Sequence, residues 1–201
     1  MGRKAKFTDD DFFDATLRVI AREGAAACTI ADVAAELGAP VGSVYHRFAS
    51  REELLARLWL RTVRRFQEPY LVVLGAATQG DAESDEPVRA VFRWVRQHPD
   101  EAQLLLLHRR RDLVARMPDG PGAEAATLND TLEEAFKAYA RRRFGRADRA
   151  AVERVTFALV DIPYAAIRRH LGAGGLPPRG LEALSVRTAR AALAEDGTAD
   201  T

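Results

Sequence analysis

The chain has 201 residues, 47% of them hydrophobic and 29% charged, with 30 Lys and Arg against 29 Asp and Glu. These values exclude a disordered chain and a uniformly basic nucleic-acid coat, so any basic function must come from local clustering. The single cysteine excludes a disulfide framework and fits a reducing cytoplasm, no apolar run approaches the ~20 residues of a membrane helix, and the basic start is not followed by the apolar segment of a signal peptide.

Helical periodicity dominates and no period-two run marks a strand, so the chain is expected to be all-α. Thr8 is a cap for the first helix, with Asp11 closing a capping box and Phe7 and Phe12 at the staple positions. Asp9, Asp10 and Asp11 fill the first turn, where the helix dipole favours acids. Phe13, Leu17 and Ile20 continue one apolar face, and Gly24 is expected to end the helix in the left-handed conformation. The second unit repeats this grammar. Thr29 caps, Asp32 closes the box, Cys28 and Val33 form the staple, and Ile30, Val33, Ala34 and Leu37 face inward until Gly38.

Pro40 opens a third helix reaching Phe48. Val44 and Phe48, four apart, pack inward and leave Gly42, Ser43, Tyr45, His46 and Arg47 outside. Ser50 and Glu53 form a third capping box. The helix they start runs through Leu54, Leu58, Val63 and Phe66 until Pro69 breaks or kinks it. Further helices are expected at about 87–98, 99–115, 123–144, 148–171 with a kink at Pro163, and 178–195. The domain boundary is drawn at residue 50, with 1–50 as one domain and 51–201 as the other.

Two short helices joined by a Gly-containing turn and flanked by helices on either side make a helix-turn-helix unit. Its second helix must enter a major groove, so its outer face needs small or polar groups. Gly42 lets the backbone approach, and Ser43 reaches a base edge or phosphate. Tyr45 and His46 offer donors to phosphate oxygens, and Arg47 and Arg51 add charge. The arm Arg3, Lys4 and Lys6 can track a minor groove or phosphates. Against this reading, residues 1–50 hold six Lys and Arg but seven Asp and Glu, a net charge of −1. The crowd of Asp9, Asp10, Asp11 and Asp14 at the start of the first helix is expected to lie away from the DNA.

The stretch Thr29-Ile-Ala-Asp-Val-Ala-Ala-Glu-Leu-Gly38, then Gly42-Ser43-Val44-Tyr45 and Phe48-Ala-Ser-Arg-Glu-Glu-Leu54, resembles the DNA-binding domain of the TetR family of bacterial transcriptional regulators. The likeness covers about residues 7–60; beyond it, only the all-helical layout is similar. The resemblance implies an N-terminal three-helix domain joined to a larger helical domain for ligand binding and dimerisation. It implies Ser43, Tyr45 and His46 as DNA contacts, and Thr29 and Arg51 as phosphate contacts. Two departures stand out. Pro40 replaces a frequent Ser or Thr cap, and Val41 replaces an often polar residue, so base reading there is expected to be apolar, as against a thymine methyl.

The larger domain carries most of the aromatics. An interhelical pocket for an apolar or amphipathic small molecule is expected among Trp59, Phe66, Tyr70, Phe92 and Phe136, with His108, Tyr139 and Tyr164 as polar anchors. A four-helix dimer interface is expected from Val155, Ala158, Leu159, Ile162 and Ala166 with Leu181, Leu184 and Ala191. The competing reading is that these residues cap the monomer's own core. The arginine runs 109–111 and 141–143 read as solvated faces. His98, His108 and His170 lack metal-ligand spacing, and no nucleophile arrangement or phosphate loop is visible, so neither a metal, a cofactor nor an enzymatic activity is expected. The reading is a cytoplasmic, ligand-responsive repressor that binds a palindromic double-stranded DNA operator as a homodimer. The alternative is a helical ligand-binding or protein-docking module that no longer binds DNA, which the near-neutral first domain favours.

Overall fold

The structure is a computed structural model, and it describes residues 7–77, 85–106 and 119–194. Every regular element among them is helical. The chain divides into two compact units, each taken here over its described residues: Met1–Val63 with Gln103–Ala126, and Arg64–Ala102 with Thr127–Thr201. The first unit therefore continues past the boundary drawn at residue 50, because Leu54, Leu55 and Leu58 join the same core as the first three helices.

In the first unit, α1 spans Asp9–Glu23, α2 Ile30–Leu37 and α3 Val41–Tyr45. Both capping boxes form. The Asp11 N–H donates to Thr8 Oγ1 and the Thr8 N–H to the Asp11 carboxylate at 2.7 Å; Thr29 and Asp32 repeat this at 3.0 and 3.2 Å. Phe7 and Phe12 meet edge-on at 6.1 Å. Gly24 has positive φ, but with ψ 153 it is not left-handed helical, so the chain leaves α1 extended. Gly38 is left-handed, and the Ala39 N–H to Ala34 and Gly38 N–H to Ala35 bonds complete a Schellman turn. Val44 and Phe48 are buried, and Phe48 packs against Phe12 and Phe13 at 5.9 and 5.6 Å. The regular part of α3 is shorter than expected, and bonds from His46 and Phe48 back to Gly42 and Val44 carry the coil onward.

Helix α4 is Arg51–Ala76, with Pro69 inside it. Of the two outcomes expected of the proline, a break or a kink, the break does not occur. It removes one N–H, and the coil runs on for another seven residues. The third capping box is half-formed: Ser50 Oγ accepts from the Glu53 N–H, while the Glu53 carboxylate accepts from Ala49 rather than Ser50.

The later helices are α5 Glu86–Gln97, α6 Pro99–Leu105, α7 Pro121–Thr127, α8 Asp130–Phe144, α9 Arg149–Thr156, a π turn at Phe157–Asp161, α10 Ile162–Gly172 and α11 Arg179–Leu193. The expected helix at 123–144 is two helices. Leu128 and Asn129 interrupt it, and the Asn129 side chain accepts from Gln67 at 2.9 Å. Within the second unit, α10, α11 and the π turn pack against α5. In the 141–143 run, Arg141 is exposed as expected, but Arg142 and Arg143 are not part of a solvated face. Arg142 donates to the Leu74 carbonyl at 2.6 Å and Arg143 to that of Leu193 at 3.2 Å, placing guanidinium groups on the carbonyl ends of α4 and α11.

The π turn changes which residues face inward. Counting 3.6 residues per turn from Val155 gives the stripe 155, 158, 159, 162, 166. The buried stripe is instead Val155, Ala158, Leu159, Pro163, Ile167 and Leu171, shifted by one residue after the turn. The Ile162 N–H bonds Phe157, five residues back, where an α-helix would reach four. Pro163 lies just beyond, with no N–H for the Leu159 carbonyl.

Candidate nucleic-acid interface and ligand cleft

The backbone of α3 rests on the core through Val44, leaving its other residues outward. Val41 is 44% and Tyr45 56% exposed, and being four residues apart they share one outward face of the helix. Gly42 and His46 are exposed and Ser43 is half-buried. A Cβ at Gly42 would meet nothing within 4 Å, so the chain itself does not require glycine there. Thr29, at the start of α2, donates its hydroxyl to Asp32 at 2.5 Å.

The two arginines are engaged by the chain's own groups. Arg47 donates to Asp9 and, at 2.6 Å, to the Phe7 carbonyl, and its guanidinium lies over the Phe12 ring. Arg51 donates to the carbonyls of Cys28, at 2.5 Å, and Ala25, tying down the connection between α1 and α2. Arg3, Lys4 and Lys6 lie outside the described residues.

The acids of α1 are likewise accounted for. Asp9 pairs with Arg47, and Asp10 and Asp14 both pair with Arg61, at 3.1 and 2.7 Å. The backbone N–H of Thr8 holds the Asp11 carboxyl below the usual carboxylate range, and the Thr29 hydroxyl does the same for Asp32. Arg18 and Arg22 both bind Glu36, lowering it too. Asp9 and Glu36 are thus paired with arginines inside residues 1–50, which leaves the formal charge of −1 unchanged, while Arg61, beyond residue 50, adds a cation beside Asp10 and Asp14. Cys28 is buried in the core, and burial pushes its thiol up.

The second unit holds a cleft of about 400 Å³ between the later part of α4 and α5. Phe66 and Tyr70 line it, stacked at 5.3 Å, and Trp94 meets Phe66 edge-on at 5.1 Å. Arg65, Glu68, Arg93, Gln97 and His98 supply its polar lining. The other aromatic positions expected in a pocket are elsewhere. Trp59 is buried in the first unit, while Phe92, Phe136 and Tyr139 are buried without lining the cleft. Tyr164 is 49% exposed, and His108 lies outside the described residues.

Of the positions expected at a dimer interface, Val155, Ala158 and Leu159 are fully buried within the single chain, which corrects their assignment to an outer face. Ile162, Ala166 and Leu181 are half-buried; Leu184 and Ala191 are exposed.

A model of bacterial regulatory proteins of the tetR family matches residues 12–58, which span α1 to the first part of α4. The chain has the DNA-binding domain and the fold of a TetR-family transcriptional regulator. Similar solved structures include a TetR transcription regulator from Haloarcula marismortui, 18% identical with a TM-score of 0.67, covering 92% of this chain and 95% of that one. The fatty acid degradation regulator FadR from Bacillus halodurans is 16% identical at a TM-score of 0.65, covering 95% and 96%. FadR from Bacillus subtilis, solved with stearoyl-CoA, is 14% identical at 0.63, covering 94% and 98%. No curated protein matches the sequence. The matched residues include α2 and α3, two short helices joined by the turn at Gly38, with most outer side chains of α3 exposed. No helix among the described residues is long and apolar enough to cross a membrane.

Proposed function

We propose that the chain is a cytoplasmic, homodimeric, ligand-responsive repressor. The exposed face of α3 carries the reading. Large apolar groups at Val41 and Tyr45, an open approach at Gly42 and polar groups at Ser43 and His46 suit a major groove better than water. Thr29 contributes a phosphate contact from the start of α2. Arg47 and Arg51 act first as positioning residues, since their guanidinium groups fix α3 and the α1–α2 connection. The pairing of Asp10 and Asp14 with Arg61, a cation from beyond residue 50, offsets part of the acidity that favoured a module without DNA.

Dimerisation is supported by apolar side chains left exposed from the π turn to α11: Phe157, Tyr164, Leu176 and Leu184 are all about half exposed. With Ile162, Ala166, Leu181 and Ala191 they supply the outer face that Val155, Ala158 and Leu159 cannot. Two copies would present two α3 helices to successive major grooves, about 34–36 Å apart. An effector bound in the second unit shifts the dimer to a state with the wrong separation. By linkage, DNA then weakens effector binding by the same factor.

The test is selection from randomised duplex DNA at moderate salt with ligand-free protein. An enriched palindrome with half-sites one turn apart is the expected result. Recovery of unenriched sequence would overturn the reading.

A further inference from the structure

The cleft in the second unit has two chemically distinct parts. Its floor is aromatic: Phe66 stacks on Tyr70 with 20° between the planes, Trp94 stands edge-on to Phe66, and His98 lies 5.2 Å from Trp94. Flat apolar surface of this kind favours a planar ring. Its polar lining carries two arginines. Arg65 and Arg93 stand there with the carboxylate of Glu68. Each arginine is also paired with an acid outside the cleft lining. Arg65 lies 2.9 Å from the buried Glu101, which also holds His98 Nδ1 at 3.0 Å, and Arg93 pairs with Glu86.

A cationic ligand on this floor would face two guanidinium groups. A carboxylate matches the planar fork of an arginine. At about 400 Å³ the cleft lies near the small end of the range for ligand sites, roughly 300–1,000 Å³. That suits two or three fused rings.

We propose that this cleft is the effector site and that its ligand is a planar aromatic carboxylate, its rings on Phe66 and Trp94 and its anion at Arg93 and Arg65. The proposal rests on the reading of the chain as a ligand-responsive regulator. The probes are 2-naphthoate, neutral 2-naphthylmethanol and cationic 2-naphthylmethylammonium, titrated into the full chain by calorimetry.

The expected result is binding in the order carboxylate, alcohol, ammonium. Arg93→Met should weaken 2-naphthoate about tenfold or more while leaving the alcohol within about twofold. Arg93 is half exposed, so this variant keeps the fold; Arg65 is the poorer choice because its loss strands the buried Glu101. Ala90→Phe, which projects a ring into the cleft, should abolish binding of all three probes. Equal binding of the ammonium, an unchanged 2-naphthoate affinity in Arg93→Met, full binding in Ala90→Phe, or no binding of 2-naphthoate to the wild type would each overturn the proposal. Calorimetry uses no DNA, so its outcome is read independently of whether an operator is found.

Discussion

The Tyr70 hydroxyl donates to the Leu159 carbonyl at 3.3 Å, and that carbonyl is the one Pro163 has no N–H to serve. One side chain of α4 thereby satisfies a backbone acceptor that the following proline orphans. The same ring lines the ligand cleft, so the cleft and the π turn share a residue. Burial pushes the Tyr70 phenol well up, which keeps it a donor at every ordinary pH.

Tyr70→Phe keeps the stacking on Phe66 and removes only the donor. The buried acceptor left behind should cost about 1–3 kcal/mol. Urea denaturation should show a lower midpoint with an unchanged slope. An unchanged midpoint would mean that water reaches the Leu159 carbonyl.

Tyr45 is exposed, so Tyr45→Ala should leave stability within about 0.5 kcal/mol while weakening operator binding. Gly42→Val tests the same surface differently. Open space surrounds the new side chain and φ is not positive, so the melting temperature should hold while DNA approach is blocked. Thermal melts beside binding titrations separate the two effects. Equal loss of both would make these packing residues.

Arg47 offers a test by salt. If its guanidinium serves Asp9 and the Phe7 carbonyl, Arg47→Met lowers stability but leaves the dependence of log affinity on log salt unchanged. A phosphate contact would instead reduce that slope by about 0.9. Operator titrations at several salt concentrations decide between them.

The capping boxes predict a pH dependence. Asp11 and Asp32 have folded-state values below their unfolded ones. Their contribution is therefore complete above the unfolded value, near pH 4, and is lost as pH falls through the lower folded values. Asp32→Asn should melt lower than wild type at pH 7, and the two should converge under stronger acid. A gap that stays constant on acidification would show that the charge of Asp32 plays no part.

The first unit is legible because its signals are local. Thr8, Thr29 and Gly38 act on neighbours within five residues, and each does in space what its spacing predicts. Val44 and Phe48 follow from a simple helical count. The ligand cleft was harder to read. Its residues do recur at helical spacing, 65, 66, 69, 70 and 73 on α4 and 90, 93, 94 and 97 on α5 with His98 just past its end, but the two stripes mean nothing until the helices are paired. Aromatic content alone selected Phe92, Phe136 and Tyr139, which packing consumes. The second arginine of the acid cluster, Arg61, was hidden for a similar reason, lying some fifty residues from its partners. Pro69 allows either a break or a kink on local grounds, and local grounds alone do not choose between them; α4 continues past it.

A one-residue deletion inside an ordinary helix turns everything after it by about 100° and empties the core of its side chains. The stretch 157–161 is an exception. Its wide turn already absorbs one residue more than an α-helix holds, so deleting a single codon there would leave Pro163, Ile167 and Leu171 pointing inward along an unbroken α-helical stripe. What the deletion would remove is local: the bulge itself and the geometry that offers the Leu159 carbonyl to Tyr70. At this one turn the chain can lose a residue and keep the inward face of the helix that follows.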